Sequence, residues 1–483
     1  MTDHTTTLGH MFNAESFRTV GHELIDLLTG ELQCSLNAER PVLNWRQPTT
    51  EDQSWHAPLP QQPTLDLKGL LNKLQSDILP GNLAIHHPHN LGHQVATPLP
   101  IAALCDLVAS LTNQAMAVYE TGPSATMLER QVIRWLSTLI GWQQQEINGI
   151  LTSGGAQANL TALLAARQHA TDSNIWKNGI ASQRPLRILA SEYSHYSISR
   201  AAGIMGLGTD TVIRIRTDQQ GRMLPEDMAH AHQECLYRQE TVIAVAANAA
   251  CTATGSIDPL QAIGDYCQAH QLWLHVDGAH GASALLSTRY RDMLQGIELA
   301  DSVVWDGHKL LYMPAAVSAV LFRSAQDSYL AFAQDASYLF QSGSHEVETY
   351  NASYRTLECT KRMMALKLWA AFSLYGVEGM ATLVDEAFDK ARLFAKKLQL
   401  HPDFELMMMP QTNIVCFRHL ARGLSDEQLN RYQGDLRKSI VEHGKFHLTQ
   451  VELDGKLWLR TTLMNPFTQE EHLQALMDCI VSA

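Results

Sequence analysis

The chain has 483 residues, which is too many for one hydrophobic core, so two or three domains are expected. It is 45% hydrophobic and 18% charged, as is typical of a soluble globular protein. Its net charge of -13 argues against nucleic acid or an anionic membrane as the main partner. The 8 cysteines include no C-x-x-C pair, so neither a structural zinc site nor a dense disulfide framework is expected.

The N-terminal region, residues 1–75, combines amphipathic stretches with a polar, Pro-rich patch. The segment FRTVGHELIDLLTGEL (17–32) spaces its apolar side chains at helical intervals, which predicts a helix. A small N-terminal unit of this kind leaves the apolar face of its helix uncovered, so we expect it to pack on a partner subunit. The start of the chain lacks a secretory pattern and no apolar run reaches the length of a membrane span, so we expect a cytoplasmic protein.

From about residue 95 to residue 325, short β-rich runs alternate with longer helical ones. This alternation predicts an α/β domain with a mostly parallel sheet covered on both faces. Ligands of such sheets bind at the carboxyl ends of the strands. The predicted strands are LRILAS (186–191), TVIRIR (211–216), TVIAVAAN (241–248), QLWLHVD (271–277), DSVVW (301–305) and AVSAVLFR (316–323).

The chain after about residue 376 has a different pattern. A long helix is followed by the predicted strands TNIVCFRHL and LWLRTTLMN and by a closing helix. This order predicts a small α+β C-terminal domain. The expected domains are therefore an N-terminal helical segment (1–75), a large α/β domain (76–375) and the C-terminal domain (376–483).

The segment ILTSGGAQANLTALLAAR (150–167) passes from a short apolar stretch through two glycines into a helix. Glycines allow a tight turn, and a new helix offers unpaired N–H groups and a positive dipole end to an anion. A phosphate cradle and a simple capped turn both agree with this pattern, because it matches neither the dinucleotide fingerprint nor the P-loop.

Two charged residues end apolar predicted strands. Asp277 follows WLHV, where it is either a turn former or a partner for a cationic ring nitrogen. Lys309 follows VVWDGH, where three explanations compete: a stem that reaches the surface, a buried ion pair, or an amine used covalently. Together with the helix start these residues would meet at one edge of the sheet. Pyridoxal 5′-phosphate needs such partners for its phosphate, its pyridine nitrogen and its aldehyde.

From about residue 80 to its end, the chain resembles the group II pyridoxal-phosphate-dependent amino-acid decarboxylases. This family includes aromatic-L-amino-acid, glutamate, L-2,4-diaminobutyrate and siderophore-pathway diamine decarboxylases. The resemblance is carried, in family order, by SGGAQAN, SEYSHYS, ACTATGSIDPL, HVDGAHGAS and DGHKLL. It implies a fold-type-I enzyme that forms a homodimer with its active site at the subunit interface.

The resemblance also implies roles for individual residues. Lys309 should bind the cofactor aldehyde covalently, and Asp277 should pair with the protonated pyridine nitrogen. His195 should stack on one face of the ring while Ala279 packs on the other. Thr252 should lie near the ring hydroxyl or near its Asp partner.

For the phosphate, the resemblance implies Gly155 and Ala156, largely through their backbone N–H groups, together with His308. The chain departs from the family pattern beside this site. Asp306 stands where many relatives carry Asn, and an acid beside a phosphate is unfavourable unless it is turned away. Gly307 stands where Pro is common.

Three further residues are expected to act on the substrate. The segment 343–369 resembles the family's mobile loop, whose Tyr is associated with protonation at Cα. Spacing places Tyr350 there, with Tyr354 as its rival.

Arg460 resembles a substrate-carboxylate contact, although an inter-domain ion pair is an equal alternative. His93 belongs to a His-rich stretch at the site entrance, for which metal binding is disfavoured because no second ligand cluster is present.

The segments GHQVATPLP and LMNP resemble the diaminobutyrate and siderophore-diamine branch. We therefore expect decarboxylation of an aliphatic or diamino L-amino acid such as L-2,4-diaminobutyrate to the amine and CO2. An aromatic or acidic substrate, an aldehyde synthase, an aminotransferase and a catalytically silent scaffold are the alternatives.

Overall fold

The computed structural model describes residues 8–9, 11–143, 146–171, 175–181, 183–332 and 349–482. Its N-terminal helices are α1 (Ala14–Leu36), α2 (Pro48–Trp55) and α3 (Leu67–Lys73), and α3 continues into a π-helical turn (Leu74–Ile78). The helix predicted over 17–32 lies within α1 and is confirmed.

The centre of the large unit is a seven-stranded sheet with the order β1-β7-β6-β5-β4-β2-β3. Its strands are β1 (Gly149–Thr152), β2 (Leu186–Ser191), β3 (Val212–Ile215), β4 (Thr241–Asn248), β5 (Leu274–Asp277), β6 (Ser302–Asp306) and β7 (Ser318–Phe322). β2 to β6 pair in parallel, and β7 runs antiparallel to both of its neighbours. All six predicted strands are confirmed, and β1 adds a seventh.

Helices cover both faces of this sheet. They are α4 (Pro100–Thr112), α5 (Pro123–Ile140), α6 (Gly155–His169), α7 (Ile175–Asn178), α8 (Tyr196–Ile204), α9 (Pro225–Tyr237) and α10 (Leu260–Ala269). Successive residues of β4 enter different hydrophobic clusters: Val245 packs with α5 and α10, whereas Ala246 packs with α6 and α8. This alternation is what a sheet buried on both faces requires.

The C-terminal part begins along the helix α11 (Ala365–Leu400), which is broken at Gly376, where φ is 64°. A four-stranded antiparallel sheet follows, with the order β10-β11-β9-β8. Its strands and helices are β8 (Phe404–Leu406), β9 (Ile414–His419), α12 (Asp426–Glu442), β10 (Thr449–Leu453), β11 (Lys456–Thr462) and α13 (Glu470–Val481). The α/β class is confirmed. The exact domain limits stay a prediction, because α11 runs through residue 376.

None of the helices in the described ranges is both long and apolar enough to span a membrane.

Candidate active site

A cavity of about 460 Å³ opens at the carboxyl ends of β4, β5 and β6. This is the edge at which an open α/β sheet binds its ligands. Most of the residues predicted from the sequence line it together, namely Lys309, Asp277, His195, Gly155, Ala156, Thr252, Ala279, His308 and His93. Arg460 and Tyr350 lie elsewhere.

The start of α6 forms one wall of the cavity. The turn after β1 places Gly154 at φ 156° and starts the helix at Gly155, and no side chain caps it. The first N–H groups of a helix have no carbonyl one turn back, so here they are free to bind an anion. A Cβ at Gly155 would lie 2.9 Å from Asp306 Oδ1, which is too close for an ordinary contact, so this position requires glycine. This wall fits a phosphate.

The Asp277 carboxylate is the last group of β5 and is buried. Asn159 Nδ2, from the second turn of α6, donates to Asp277 Oδ2 at 3.0 Å. The Ala279 backbone N–H donates to Asp277 Oδ1 at 3.2 Å. Each carboxylate oxygen is thus held by one donor and keeps capacity for another, which fits a partner that carries a ring N–H.

The Asn159 amide is itself held in place by a second set of hydrogen bonds. Its Oδ1 lies 2.9 Å from His275 Nε2, and Ser302 Oγ lies 2.9 Å from His275 Nδ1. Trp273 Nε1 donates to Ser302 Oγ at 2.9 Å. Burial lowers the pKa of His275 to about 4, so the ring is neutral and can donate through one nitrogen while it accepts through the other. The chain of hydrogen bonds leaves the Asn159 amide one orientation.

The same amide reaches the residue predicted to stack on the cofactor. Asn159 Nδ2 also donates to Ser197 Oγ at 2.8 Å, and that oxygen lies 2.8 Å from His195 Nδ1. The Ser197 backbone N–H donates to His195 Nδ1 as well, which leaves the proton of a neutral ring on Nε2. Desolvation lowers the pKa of His195, so a neutral ring faces the cavity.

Lys309 Nζ lies 2.9 Å from Asp306 Oδ2, and this ion pair compensates the lysine among its apolar neighbours. Ser318 Oγ donates to the same carboxylate, because β7 pairs Ser318 with Asp306. Of the three explanations for Lys309, the buried ion pair is present, and it leaves the amine inside the cavity.

The residues between Asp306 and Lys309 also have physical explanations. A Cβ at Gly307 would lie 2.8 Å from Val317 Cγ1, so close packing against Val317, the residue before β7, requires glycine. His308 Nδ1 lies 2.9 Å from the Val317 carbonyl oxygen, so Nδ1 donates and the ring is fixed. His308 also lines the cavity and is placed to meet an anion.

Arg460 is buried and lies on β11, outside the cavity lining. Its guanidinium donates to the carbonyl oxygens of Thr252 at 2.6 Å and Ala253 at 3.0 Å, and to Thr449 Oγ1 at 3.2 Å. Within the described ranges it has no carboxylate partner, so the expected ion pair is not found there. Arg460 instead ties the C-terminal sheet to the loop that carries Thr252, and its contact with substrate stays a prediction.

Tyr350 does not line the cavity of its own chain. The Arg130 guanidinium lies 4.3 Å from its ring centroid, and the Tyr119 ring lies 5.8 Å away. The first part of the predicted loop, up to residue 348, lies outside the described residues.

The histidines before His93 have separate partners. His86 Nε2 lies 3.2 Å from the Pro98 carbonyl oxygen, and His89 Nδ1 lies 2.9 Å from that of Lys445. Among the residues that the structure describes, no group of three potential metal ligands is found.

Two residues of the site were missed from the sequence. Asn159 carried a signal, since it is a polar residue within the apolar run ANLTALLAA. His280 lines the cavity with its Nε2 2.6 Å from Asn413 Oδ1, and burial lowers its pKa to about 3. No local pattern links His280 to Asn413, because they are 133 residues apart.

The hydrogen bonds of Asn159 generate a prediction. Asn159→Leu keeps the volume but removes a donor from Asp277 and Ser197, which should weaken binding of pyridoxal 5′-phosphate by on the order of 1–3 kcal/mol, roughly tenfold or more. Titration of the cofactor-free protein by absorbance measures this change. Thr161→Val is the matched control, because Thr161 Oγ1 donates to the Gln157 carbonyl within α6 and, among the described residues, to no group of the cavity. Equal affinity in Asn159→Leu and in the control would contradict the role of Asn159.

Comparison with known proteins agrees with this geometry. Residues 48–420 match the pyridoxal-dependent decarboxylase conserved domain. Cysteine sulfinic acid decarboxylase of Homo sapiens is 31% identical over 423 residues, which cover 86% of this chain and 85% of that protein. Aromatic-L-amino-acid decarboxylase of Bacillus atrophaeus is 30% identical over 473 residues, which cover 96% and 95%.

Among solved structures, that of mouse CSAD matches with a TM-score of 0.90 and 26% identity, covering 97% of this chain and 98% of that one. The match therefore extends over the large unit and the C-terminal sheet together. The cavity has a place for each group of pyridoxal phosphate, and the matched domain is the one that defines the family. The chain belongs to the pyridoxal-dependent decarboxylase family and is a pyridoxal-phosphate-dependent amino-acid decarboxylase.

Proposed function

We propose that the chain removes the α-carboxylate of an aliphatic L-amino acid with a polar side chain, such as L-2,4-diaminobutyrate, and releases CO2 and the amine. The observation that carries this choice is the charge of the cavity. Lys309 is the only lysine or arginine among its described lining residues, and it is paired with Asp306.

An acidic side chain would need a cationic partner. Lys309 is reserved for the cofactor, and the three nitrogens of the Arg460 guanidinium are engaged with Thr252, Ala253 and Thr449. The described lining therefore leaves a carboxylate or sulfinate side chain without a free guanidinium or ammonium. This argues against an acidic substrate.

A polar uncharged or amino side chain fits the entrance better. Burial, followed by the charge of Arg460, lowers the pKa of His93, so its imidazole is neutral and can accept a hydrogen bond. The adjacent Gln94 lines the cavity, and its buried Nε2 finds no acceptor among the described residues, so it is available to donate to a polar uncharged group. Apart from histidines, Tyr196 is the only aromatic residue in the described lining, which disfavours a large aromatic side chain.

An acidic substrate is the second candidate, because a relative at 31% identity is a cysteine sulfinic acid decarboxylase. A cation for it would have to come from a partner subunit or from outside the described residues. An aldehyde synthase or an aminotransferase on the same fold would differ in its products.

In this proposal the bound cofactor supplies the electron sink for the carboxylate's bonding electrons. Lys309 would hold the cofactor covalently, and Asp277 would accept a hydrogen bond from the protonated ring nitrogen and keep it charged. His195 and Ala279 would pack on the two ring faces, with Thr252 near the ring hydroxyl or near its partner Asp277. The N–H groups of Gly155 and Ala156 would bind the phosphate together with His308, and all three residues line the cavity.

We also propose a homodimer with the active site at the subunit interface. α1 leaves Phe17 52% exposed and Leu28 42% exposed, so an apolar face is open to a second subunit. Tyr350 lies outside the cavity of its own chain, and we propose that it protonates Cα in the site of the partner subunit.

Product analysis tests the substrate proposal. The holoenzyme should release CO2 and amine in equal amounts from L-2,4-diaminobutyrate or ornithine faster than from cysteine sulfinate, glutamate or an aromatic amino acid. Parallel assays of ammonia, peroxide and keto acid should stay at background. Preference for cysteine sulfinate would instead establish the acidic candidate, and peroxide with aldehyde would establish an aldehyde synthase.

Tyr350→Phe tests the proton donor. Loss of the phenol should lower amine formation by about 10²-fold or more, as for other general acids. Tyr354→Phe is the matched comparison, since Tyr354 is the rival residue. If Tyr350→Phe forms amine at the unaltered rate, or if only Tyr354→Phe is impaired, Tyr350 has no part in proton transfer.

A further inference from the structure

A buried carboxylate stands at the place proposed for the cofactor phosphate. Asp306 is 2% exposed and lines the same cavity as Gly155 and His308. A Cβ at Gly155 would lie 2.9 Å from Asp306 Oδ1 and 3.1 Å from Oδ2. Both carboxylate oxygens therefore lie close to the first residue of α6, and the acid is not turned away from the helix start.

Positive groups surround this carboxylate. Lys309 Nζ lies 2.9 Å from Oδ2, and His308 Nε2, which carries a positive charge only when the ring is protonated, lies 3.6 Å from the same oxygen. The uncapped start of α6 adds the positive end of a helix dipole. Ser318 holds the carboxylate in place by a hydrogen bond from the paired strand. A phosphate bound at the helix start would use the same positive groups.

Asp306 is charged in this arrangement. Burial by itself raises the pKa of the carboxyl, but Lys309 and then His308 outweigh burial and hold the pKa below its usual range. The other ionisable side chains around the cavity are His93, His195, Tyr196, Cys251, Asp277 and His280. None of these adds a permanent positive charge that could offset both a carboxylate and a phosphate.

We propose that Asp306 competes with the phosphate of pyridoxal 5′-phosphate for these positive groups, and thereby weakens cofactor uptake as the pH rises. A bound dianion disfavours the charged form of a nearby carboxylate, so phosphate binding raises the pKa of Asp306, and Asp306 takes up a proton at pH values between its pKa in the free protein and its pKa in the complex. The complex then holds more protons than the free protein, and affinity falls as the pH rises between the lowered pKa of Asp306 in the free protein and its raised pKa in the complex.

This inference rests on the proposed placement of the phosphate and is independent of the substrate. Asp306→Asn removes the charge but keeps the shape. At mildly alkaline pH the cofactor-free variant should bind sulfate and pyridoxal 5′-phosphate about tenfold more tightly than the unaltered chain, the effect of one pKa unit of interaction. Pyridoxal, which lacks the phosphate, should bind both proteins equally. Asp265→Asn, on the surface of α10, controls for the change in net charge.

Calorimetry supplies these affinities. Unchanged or weaker sulfate binding in Asp306→Asn would overturn the inference. The inference would also be overturned if Asp306→Asn increased the affinity for pyridoxal as much as the affinity for pyridoxal 5′-phosphate, because the effect would then act through Lys309. A second measurement needs no Asp306 variant: sulfate should bind the unaltered chain with proton uptake at an acidic pH between the two pKa values of Asp306, measured in buffers of different ionisation heat. Absence of uptake would contradict the competition. His308→Ala tests the proposed position of the phosphate separately. Unchanged sulfate affinity in this variant would show that the phosphate binds elsewhere.

Discussion

One buried amide organises the site: Asn159 donates to the Asp277 carboxylate and to Ser197, and through Ser197 it orients His195. The residue proposed to bind the cofactor's ring nitrogen and the residue proposed to stack on its ring are therefore both held by Asn159. That support is rigid because His275 and Ser302 fix the amide from behind. Buried polar networks of this kind specify one geometry only when each member has its partners.

The second constraint is charge. The cavity buries Asp277 and Asp306 near a single lysine, and burying an unpaired charge is expensive. In the protein without cofactor, Lys309 and Asp306 compensate each other. A bound phosphate adds negative charge beside this ion pair. Asp306, which compensates the charge of the buried Lys309, therefore also repels the phosphate. The His280–Asn413 contact and the Arg460 hydrogen bonds to the Thr252 loop connect this charged region to the C-terminal sheet.

The sequence could predict those features that local patterns determine. Strand runs such as TVIAVAAN coincide with β4, and Asp277 and Lys309 stand at strand ends, where parallel strands bring side chains together. The placement of Arg460 could not be predicted, because its hydrogen bonds to Thr252 and Ala253 span more than 200 positions of the chain. Motif matching likewise assigned Tyr350 a role without showing that it lies outside its own chain's cavity.

The central claim is that Lys309 is the amine that holds pyridoxal phosphate. Borohydride reduction of the holoenzyme, followed by peptide mass spectrometry, tests it most directly. The account predicts that the reduced cofactor is attached at Nζ of Lys309 and at no other lysine. Attachment to a different lysine, or recovery of the Lys309 peptide unmodified from active enzyme, would contradict the account.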